Sequence, residues 1–301
     1  MAKEYVGDKV IQPLEKQMND LCNKRGFDYD TAFKGFLDYL IWLFDPDGNT
    51  PDGWRFNSED AQAFFVMSKT YADIMNSQLR KVPWYDAFGD LYMALHPGGG
   101  GKAQFFTPSD VANVVAEVNL SGIDIEKTEG TLTPFGHRIT INDPAAGSSR
   151  MLMAGAGIVT RKMEMELGWD ANKVYANRPY IIAEDLDMNC VKMSAINIMM
   201  HGYFGECVCH NTLEEPHACH LGYFINETMW PFPSGIPSIR KCNDARKFCC
   251  TSLWAEKKRQ REQQLTDRND ATAVLPLGGE VAAPSSDLPK EKKQPQQLTL
   301  W

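Results

Sequence analysis

An aspartate, a proline and a run of small residues stand together at Asp143-Pro144-Ala145-Ala146-Gly147-Ser148-Ser149-Arg150. These are the residue types of a ligand-holding turn. Ile139 and Ile141 alternate with polar neighbours just before it, which predicts a buried strand. Pro144 has no N–H for a sheet ladder and ends that strand. Gly147 permits a turn that a Cβ would obstruct. Ser148 or Ser149 can cap the helix whose apolar face begins with Met151, Leu152 and Ala154. Strand, small-residue turn and helix N-terminus make a nucleotide-type site at the carboxyl edge of an α/β sheet. A carboxylate at the strand tip repels a pyrophosphate and suits a cationic or hydroxyl-bearing ligand such as S-adenosylmethionine.

Two further stretches can build the same site. Tyr180-Ile181-Ile182-Ala183-Glu184-Asp185-Leu186-Asp187 is an apolar run ending in acids, which predicts a second parallel strand. An acid at such a tip accepts hydrogen bonds from ribose hydroxyls, a role open to Glu184, Asp185 and Asp187. A helix over Met188–His201 follows, with Gly202 as its left-handed end. A third strand is expected at Glu206–Cys209, ahead of His210-Asn211-Thr212-Leu213. Upstream, four glycines at 98–101 form a linker to Gln104-Phe105-Phe106-Thr107-Pro108. There, Phe105 or Phe106 can offer a ring to a cofactor, and Thr107 can cap a helix that starts at Pro108.

These motifs resemble those of the N6-adenine DNA methyltransferases, especially the modification subunits of type I restriction systems. The family's first motif is usually Asp-Pro-Ala-Cys-Gly-Ser-Gly. This chain has Ala146 for the Cys and Ser149 for the last Gly, where a side chain could crowd the methionine part of the cofactor. Gln104–Pro108 resembles the family's Gly-Gln-Phe/Tyr-Phe-Thr-Pro segment, with Ala103 for the Gly, and stands before the first motif in the family's order. Asp90–Leu95, Asn197 and His201-Gly202 also have counterparts. The resemblance implies S-adenosylmethionine as cofactor, with Phe105, Phe106, Thr107, Asp143, Ala145, Gly147, Asp185 and Asn211 as binding residues and Asp187 as companion to Asp185. It implies DNA as substrate, a restriction-modification or mobile-element setting, and a specificity or partner methyltransferase subunit.

The family's catalytic tetrapeptide, Asn/Asp-Pro-Pro-Tyr/Phe at the fourth strand's tip, grips and stacks on a flipped adenine. No such tetrapeptide occurs here. Tyr223–Ile225 is the expected fourth strand, with Asn226 at its tip as the catalytic candidate and Trp230 and Phe232 as stacking rings. Glu227-Thr228 lacks the prolines that would fix the backbone, and an unfixed amide loses most of its catalytic value. Two functions are therefore carried forward: methyl transfer to N6 of adenine, and a catalytically inactive relative that binds DNA or a partner.

The elements that must position these residues fall into three parts. Stripes of apolar residues predict helices over 3–24, 31–44, 58–74 and 84–95, a helical domain over 1–96. Residues 97–254 carry the Rossmann-like methyltransferase sheet, short of strands for a full one, with one more strand expected at Phe248–Leu253. Residues 255–301 form a polar tail expected to be disordered. It ends in Gln297-Leu298-Thr299-Leu300-Trp301, which resembles the bacterial sliding-clamp binding motif and makes Gln297, Leu298, Leu300 and Trp301 candidate clamp contacts.

Composition fits this reading: 43% apolar and 23% charged residues describe a globular protein. No apolar run nears the roughly 20 residues of a membrane span, and the first residues lack a signal peptide's apolar core, so the expected compartment is the cytoplasm. A net charge of −8 means that any DNA contact needs cations gathered on one face. In a cytoplasmic chain the 8 Cys are thiols rather than disulfides. Cys207, Cys209, His210, His217, Cys219, His220, Cys242, Cys249 and Cys250 crowd one region, yet their spacing matches no paired-Cys metal pattern. Buried thiols and surface histidines, with no metal, are expected there.

Overall fold

A computed structural model describes residues 9–96, 106–128, 130–212, 221–229, 235–250 and 298–299. Four helices come first: α1 (Gln12–Arg25), α2 (Tyr29–Leu43), α3 (Ser58–Gln78) and α4 (Ala87–Leu95). The first begins later than its apolar stripe suggests. Lys9–Ile11 form a turn, and Pro13 takes the first helical turn, where its missing N–H costs nothing. Asp28, Asn57 and Asp86 cap α2, α3 and α4 through their side chains, and Asn57 with Asp60 completes a capping box.

Helix α5 (Ser109–Leu120) follows, then a hairpin of β1 (Thr131–Thr133) and β2 (Gly136–Arg138). The remaining elements are β3 (Thr140–Asp143), α6 (Arg150–Met165), α7 (Ala171–Asn177), β4 (Tyr180–Asp185), α8 (Met188–Met200), β5 (Phe204–Cys209), β6 (Leu221–Ile225), β7 (Ile239–Cys242) and β8 (Leu298–Thr299). The hairpin, α7 and β7 were not legible as elements. Cys249 and Cys250 open a helical turn instead of the strand expected at Phe248–Leu253, whose residues 251–253 lie outside those described.

The six-stranded sheet runs β7-β6-β5-β4-β3-β8. β3, β4 and β5 are parallel neighbours, with α6 and α8 in the connections. Third, second and first strands in that order form one half of a doubly wound Rossmann-like sheet. Beyond β3, where the other half of such a sheet continues, the described residues place Leu298 and Thr299 parallel to Ile141 and Asn142. Among the described residues the sheet is thus short of the strands of a full one, and the middle of the C-terminal pentapeptide pairs with it. Gln297, Leu300 and Trp301 lie outside the described residues.

β6 reverses direction. Cys209 pairs with Leu221 and Gly205 with Ile225 in an antiparallel ladder. A parallel return would need a crossover long enough to regain the starting edge, normally through a helix. The short connection over residues 210–220 permits an antiparallel one.

Both faces of β4 are buried, as befits a central parallel strand. Ile181 and Ala183 join one apolar core with α1–α6 and α8, while Tyr180 and Ile182 join a smaller one with Phe135, Phe204, Phe224 and Phe248. The first core runs without a break from Ile11 in the helical unit to Ile239 in the sheet. Lys192 of α8 pairs with Asp38 of α2, and the Ile239 amide donates to the Phe44 carbonyl at 2.9 Å, so the helical unit is bonded to the sheet as well as packed on it. No described helix is long and apolar enough to cross a membrane.

Candidate functional site

The turn after β3 is built by backbone hydrogen bonds that fix its carboxylates. Asp143 is buried, and its Oδ1 accepts from the Ala145 amide at 2.9 Å. The Ala146 amide donates to the Glu184 carbonyl at 2.9 Å, which ties the turn to the next strand. The Gly147 amide donates to Asp185 Oδ2 at 2.9 Å, and the Asp187 amide to Asp185 Oδ1 at 2.8 Å. Burial pushes the Asp185 carboxyl above its usual range, and these amide donors oppose the shift. Gly147 has φ +57°, and a Cβ there would lie 2.9 Å from Cε1 of Phe106. The Phe106 ring lies directly over the turn, and only glycine fits beneath it.

A cleft of about 200 Å³ opens at this carboxyl edge. Its walls include Phe106, Thr107, Asp143, Ala145, Gly147 and Asp185, six of the eight cofactor candidates, together with Met151 and Cys190. Phe105 lies outside the described residues. Asn211 is half-buried beyond β5 and is not among the described walls. Strand alternation chooses between the acids of β4. Asp185 points into the cleft, whereas Glu184 points to the opposite face, where it accepts from Asn142 Nδ2 at 2.5 Å. Asp187 caps α8 by accepting from the Asn189 amide at 2.9 Å.

Neither serine caps α6. Ser149 holds the N-cap position in a left-handed conformation, φ 68°, without a side-chain bond to the helix. That backbone favours glycine, and a serine adopts it at a conformational cost. The Ser149 side chain turns away from the cleft and donates from Oγ to Ser194 Oγ at 2.7 Å, so it does not crowd the ligand side. Thr107 likewise does not cap α5, which begins at Ser109 after Pro108.

An ionic cluster behind the cleft escaped the sequence reading. Arg150 is buried and donates to Asp86 Oδ2 at 3.1 Å, to Asp90 Oδ1 at 2.6 Å and to the Thr107 carbonyl at 3.1 Å. Ser148 Oγ donates to Asp86 Oδ2 at 2.5 Å and Asn197 Nδ2 to Asp86 Oδ1 at 2.8 Å. Burial depresses the guanidinium pKa, and the charges of Asp86 and Asp90 more than reverse that, so it stays charged. The cluster joins α4, the Phe-Thr-Pro segment, the turn and α8 at one point. Its only hint in the sequence was that Asp90 and Asn197 have family counterparts.

Asn226 is placed elsewhere. Because β6 is antiparallel, its end at Ile225 pairs with Gly205, at the edge of the sheet opposite Asp143 and Asp185. Asn226 is fully buried with φ 60°. Its Nδ2 donates to the carbonyls of Tyr203 at 2.8 Å and Met199 at 3.3 Å, and its Oδ1 accepts from the Ser238 amide at 3.1 Å. The amide pins a chain reversal and does not face the cleft. The strand direction, which the expectation of a catalytic tip took as parallel, sets Asn226 at the other edge of the sheet. Trp230 and Phe232 lie outside the described residues.

The cleft's lining fits S-adenosylmethionine better than a phosphate ligand. Two carboxylates and an aromatic ring face it, and the one cation among its described walls, Arg150, is neutralised by Asp86 and Asp90. Carboxylates accept from ribose hydroxyls and attract a sulfonium or ammonium, but repel phosphate.

Comparison with known proteins agrees with the motifs. The family model for N-6 DNA Methylase matches residues 84–227. Among solved structures, one described as a class I S-adenosylmethionine-dependent methyltransferase from Listeria monocytogenes matches at 13% identity, over 65% of this chain and 50% of that one, with a TM-score of 0.35. The type I restriction-modification system methyltransferase subunit from Streptococcus thermophilus matches at 17% identity, over 64% of this chain and 37% of that one, with a TM-score of 0.29. The chain spans half or less of the length of these structures. No curated protein matches it. The matched segment begins just before α4 and ends just after β6, enclosing the whole cleft, and it implies S-adenosylmethionine as cofactor. Residues 84–227 are thus similar to the N-6 DNA methylase family, as the two cofactor motifs indicated.

Proposed function

We propose that this chain binds S-adenosylmethionine in the cleft beneath Phe106 and acts in the modification of DNA, its reaction class being methyl transfer to N6 of adenine. The observation that carries this reading is the convergence of Phe106, Thr107, Asp143, Gly147 and Asp185 on one acidic cleft at the carboxyl edge. In this reading Asp185 accepts from the ribose hydroxyls, Asp143 orders the turn and faces the cationic part of the ligand, and Phe106 covers it. Bound S-adenosylmethionine supplies an electrophilic methyl group on a sulfonium sulfur. The chain's own residues orient that methyl and exclude water, and positioning is what such a transfer chiefly needs.

A second reading keeps the cofactor cleft but assigns the chain a non-catalytic role beside a specificity or partner methyltransferase subunit. The place of Asn226 on the opposite edge of the sheet favours it. DNA contact belongs to both readings, as does recruitment to a sliding clamp through Gln297, Leu298, Leu300 and Trp301. The pairing of Leu298 and Thr299 with β3 means that clamp capture would require this short strand to detach.

Calorimetric titration with S-adenosylmethionine, against Asp143→Ala as control, tests the cofactor reading. Micromolar binding that the substitution removes supports it, and absence of binding to the folded chain overturns it. Radiolabelled methyl transfer to unmodified DNA then separates the readings. Incorporation into N6-methyladenine supports catalysis, and binding without incorporation supports the partner role.

A further inference from the structure

On the face of the sheet away from the cofactor cleft, three metal-ligating side chains meet. Glu184 near the end of β4, His210 just after β5 and Cys250 beyond β7 are all buried, and each offers a ligand atom within 4.8 Å of the other two. They come from distant parts of the chain, so no spacing rule could have grouped them. His210 was expected at the surface and is instead 5% exposed. We propose that Glu184, His210 and Cys250 form a zinc-binding site that ties the carboxyl ends of β4 and β5 to the chain at Cys250.

The chemistry of the set is specific. One thiolate, one imidazole and one carboxylate are a zinc donor set, with a fourth position left to a water or another ligand. Hard-cation sites for calcium or magnesium are built from oxygens alone.

The supports of a built site are present. Asn142 Nδ2 donates to Glu184 Oε1 at 2.5 Å, which turns Oε2 toward His210. This is the kind of outer partner that orients a ligating carboxylate. The His210 amide donates to the Asp185 carbonyl at 3.0 Å, and the Cys250 amide to Glu206 Oε1 at 2.8 Å, so both backbones are fixed independently of any ion.

Without a metal, His210 Nε2 and Glu184 Oε2 lie 2.5 Å apart and share a hydrogen bond. Zinc would part them to about 3.3 Å, the separation that bonds of about 2.0–2.1 Å impose at a tetrahedral centre. As the metal enters, the Cys250 thiol proton leaves to solvent and the proton between Nε2 and Oε2 passes to Nδ1, or to solvent where Nδ1 already carries one. This leaves a thiolate, a carboxylate and a neutral imidazole, so binding weakens as pH falls.

Cobalt(II) reports the site directly, because a thiolate ligand gives a charge-transfer band in the near ultraviolet. The full chain, stripped with chelator, is titrated with cobalt and then with zinc. One equivalent of cobalt should bind with that band, and zinc should displace it. Cys250→Ser should lose the band and Glu184→Gln should weaken binding at least tenfold, each with an unchanged circular dichroism spectrum. Cys22→Ser, remote in α1, should keep both. Failure of the folded wild type to take up micromolar cobalt overturns the proposal, as does a band that persists in Cys250→Ser. Should Cys250→Ser not fold, His210→Asn takes its place with the same two outcomes. None of these readouts involves S-adenosylmethionine, so the result is independent of the cofactor cleft.

Discussion

The backbone N–H of Gly147 donates to Oδ2 of Asp185 across 2.9 Å, so the glycine of one motif and the strand-tip acid of another form a single hydrogen-bonded unit. Asp185 thereby has two tasks. It holds the turn that shapes the cleft, and in the proposed function it also accepts from the ligand. Asp185→Ala should weaken S-adenosylmethionine binding by about 1.5–3 kcal/mol, roughly 10- to 150-fold, the range for hydrogen bonds to a charged group. Asp185→Asn should fall between, since one amide oxygen replaces two carboxylate acceptors. Calorimetry on folded variants checks this. Wild-type affinity in Asp185→Ala would remove the carboxylate from the binding site.

Gly147→Ala tests the roof of the cleft. The new Cβ would sit 2.9 Å from the Phe106 ring at a positive φ. Both effects act in the same direction, and a loss of about 1–3 kcal/mol in stability is expected. Cofactor affinity should fall with it, because relief requires Phe106 to lift. Gly147→Ala combined with Phe106→Ala should recover part of the stability loss but not the affinity. Thermal melts with and without ligand separate the two.

Arg150 is the cation of a buried cluster with two carboxylates. Arg150→Met keeps its apolar bulk but leaves Asp86 and Asp90 buried without a cation, which should cost about 3–5 kcal/mol. Asp86→Asn in that background should return part of this by removing one of the stranded charges. Urea denaturation measures both. Equal stability of wild type and Arg150→Met would show that the cluster does not hold the α4, Phe-Thr-Pro and turn segments together.

What the sequence disclosed about this site, and what it did not, follows from the range of each interaction. The strand-turn-helix at Ile139–Ala154 and the acidic tip at Asp185 are local, written in residues a few positions apart, and both were legible. The choice between Glu184 and Asp185 was not settled by pattern alone, because it depends on which face of β4 meets α6 and α8. The place of Asn226 was not legible because periodicity marks a strand without giving its direction, and direction here rests on the short connection over 210–220. Arg150 with Asp86, and Glu184 with His210 and Cys250, are brought together by tertiary folding across dozens of residues and leave no local pattern.

Asn226 should behave as a structural residue. Asn226→Ala loses the bonds to Tyr203, Met199 and Ser238 in a buried place, and the left-handed φ becomes less favourable for the new residue. A loss of about 2–4 kcal/mol is expected from stranded backbone groups and backbone strain together. Affinity for S-adenosylmethionine in the folded fraction should stay within about twofold of wild type, since the change lies at the opposite edge of the sheet. A variant with wild-type stability and abolished methyl transfer would reverse this assignment.

Glu206 gives the fold a pH dependence of predictable sign. It is fully buried on β5, where burial pushes its carboxyl up to about 7, against the amides of Cys249 and Cys250 and the Tyr180 hydroxyl, which hydrogen-bond to it. The folded-state pKa exceeds the unfolded value of 4.5, so the native state binds more protons between those values. Stability from this group is therefore fully present below about pH 4.5 and is lost as pH rises through about 7, by on the order of 3 kcal/mol at roughly 1.4 kcal/mol per pKa unit. Other groups titrate over the same range, so the quantity to follow is the difference between wild type and Glu206→Gln. The substituted amide cannot ionise, but its single oxygen accepts from only one of the two backbone N–H groups. The variant should be the less stable protein at pH 5, and the gap should narrow as pH rises to 8. Urea unfolding at four pH values between these limits measures it, and a gap that stays constant or widens would show that Glu206 does not titrate in this window.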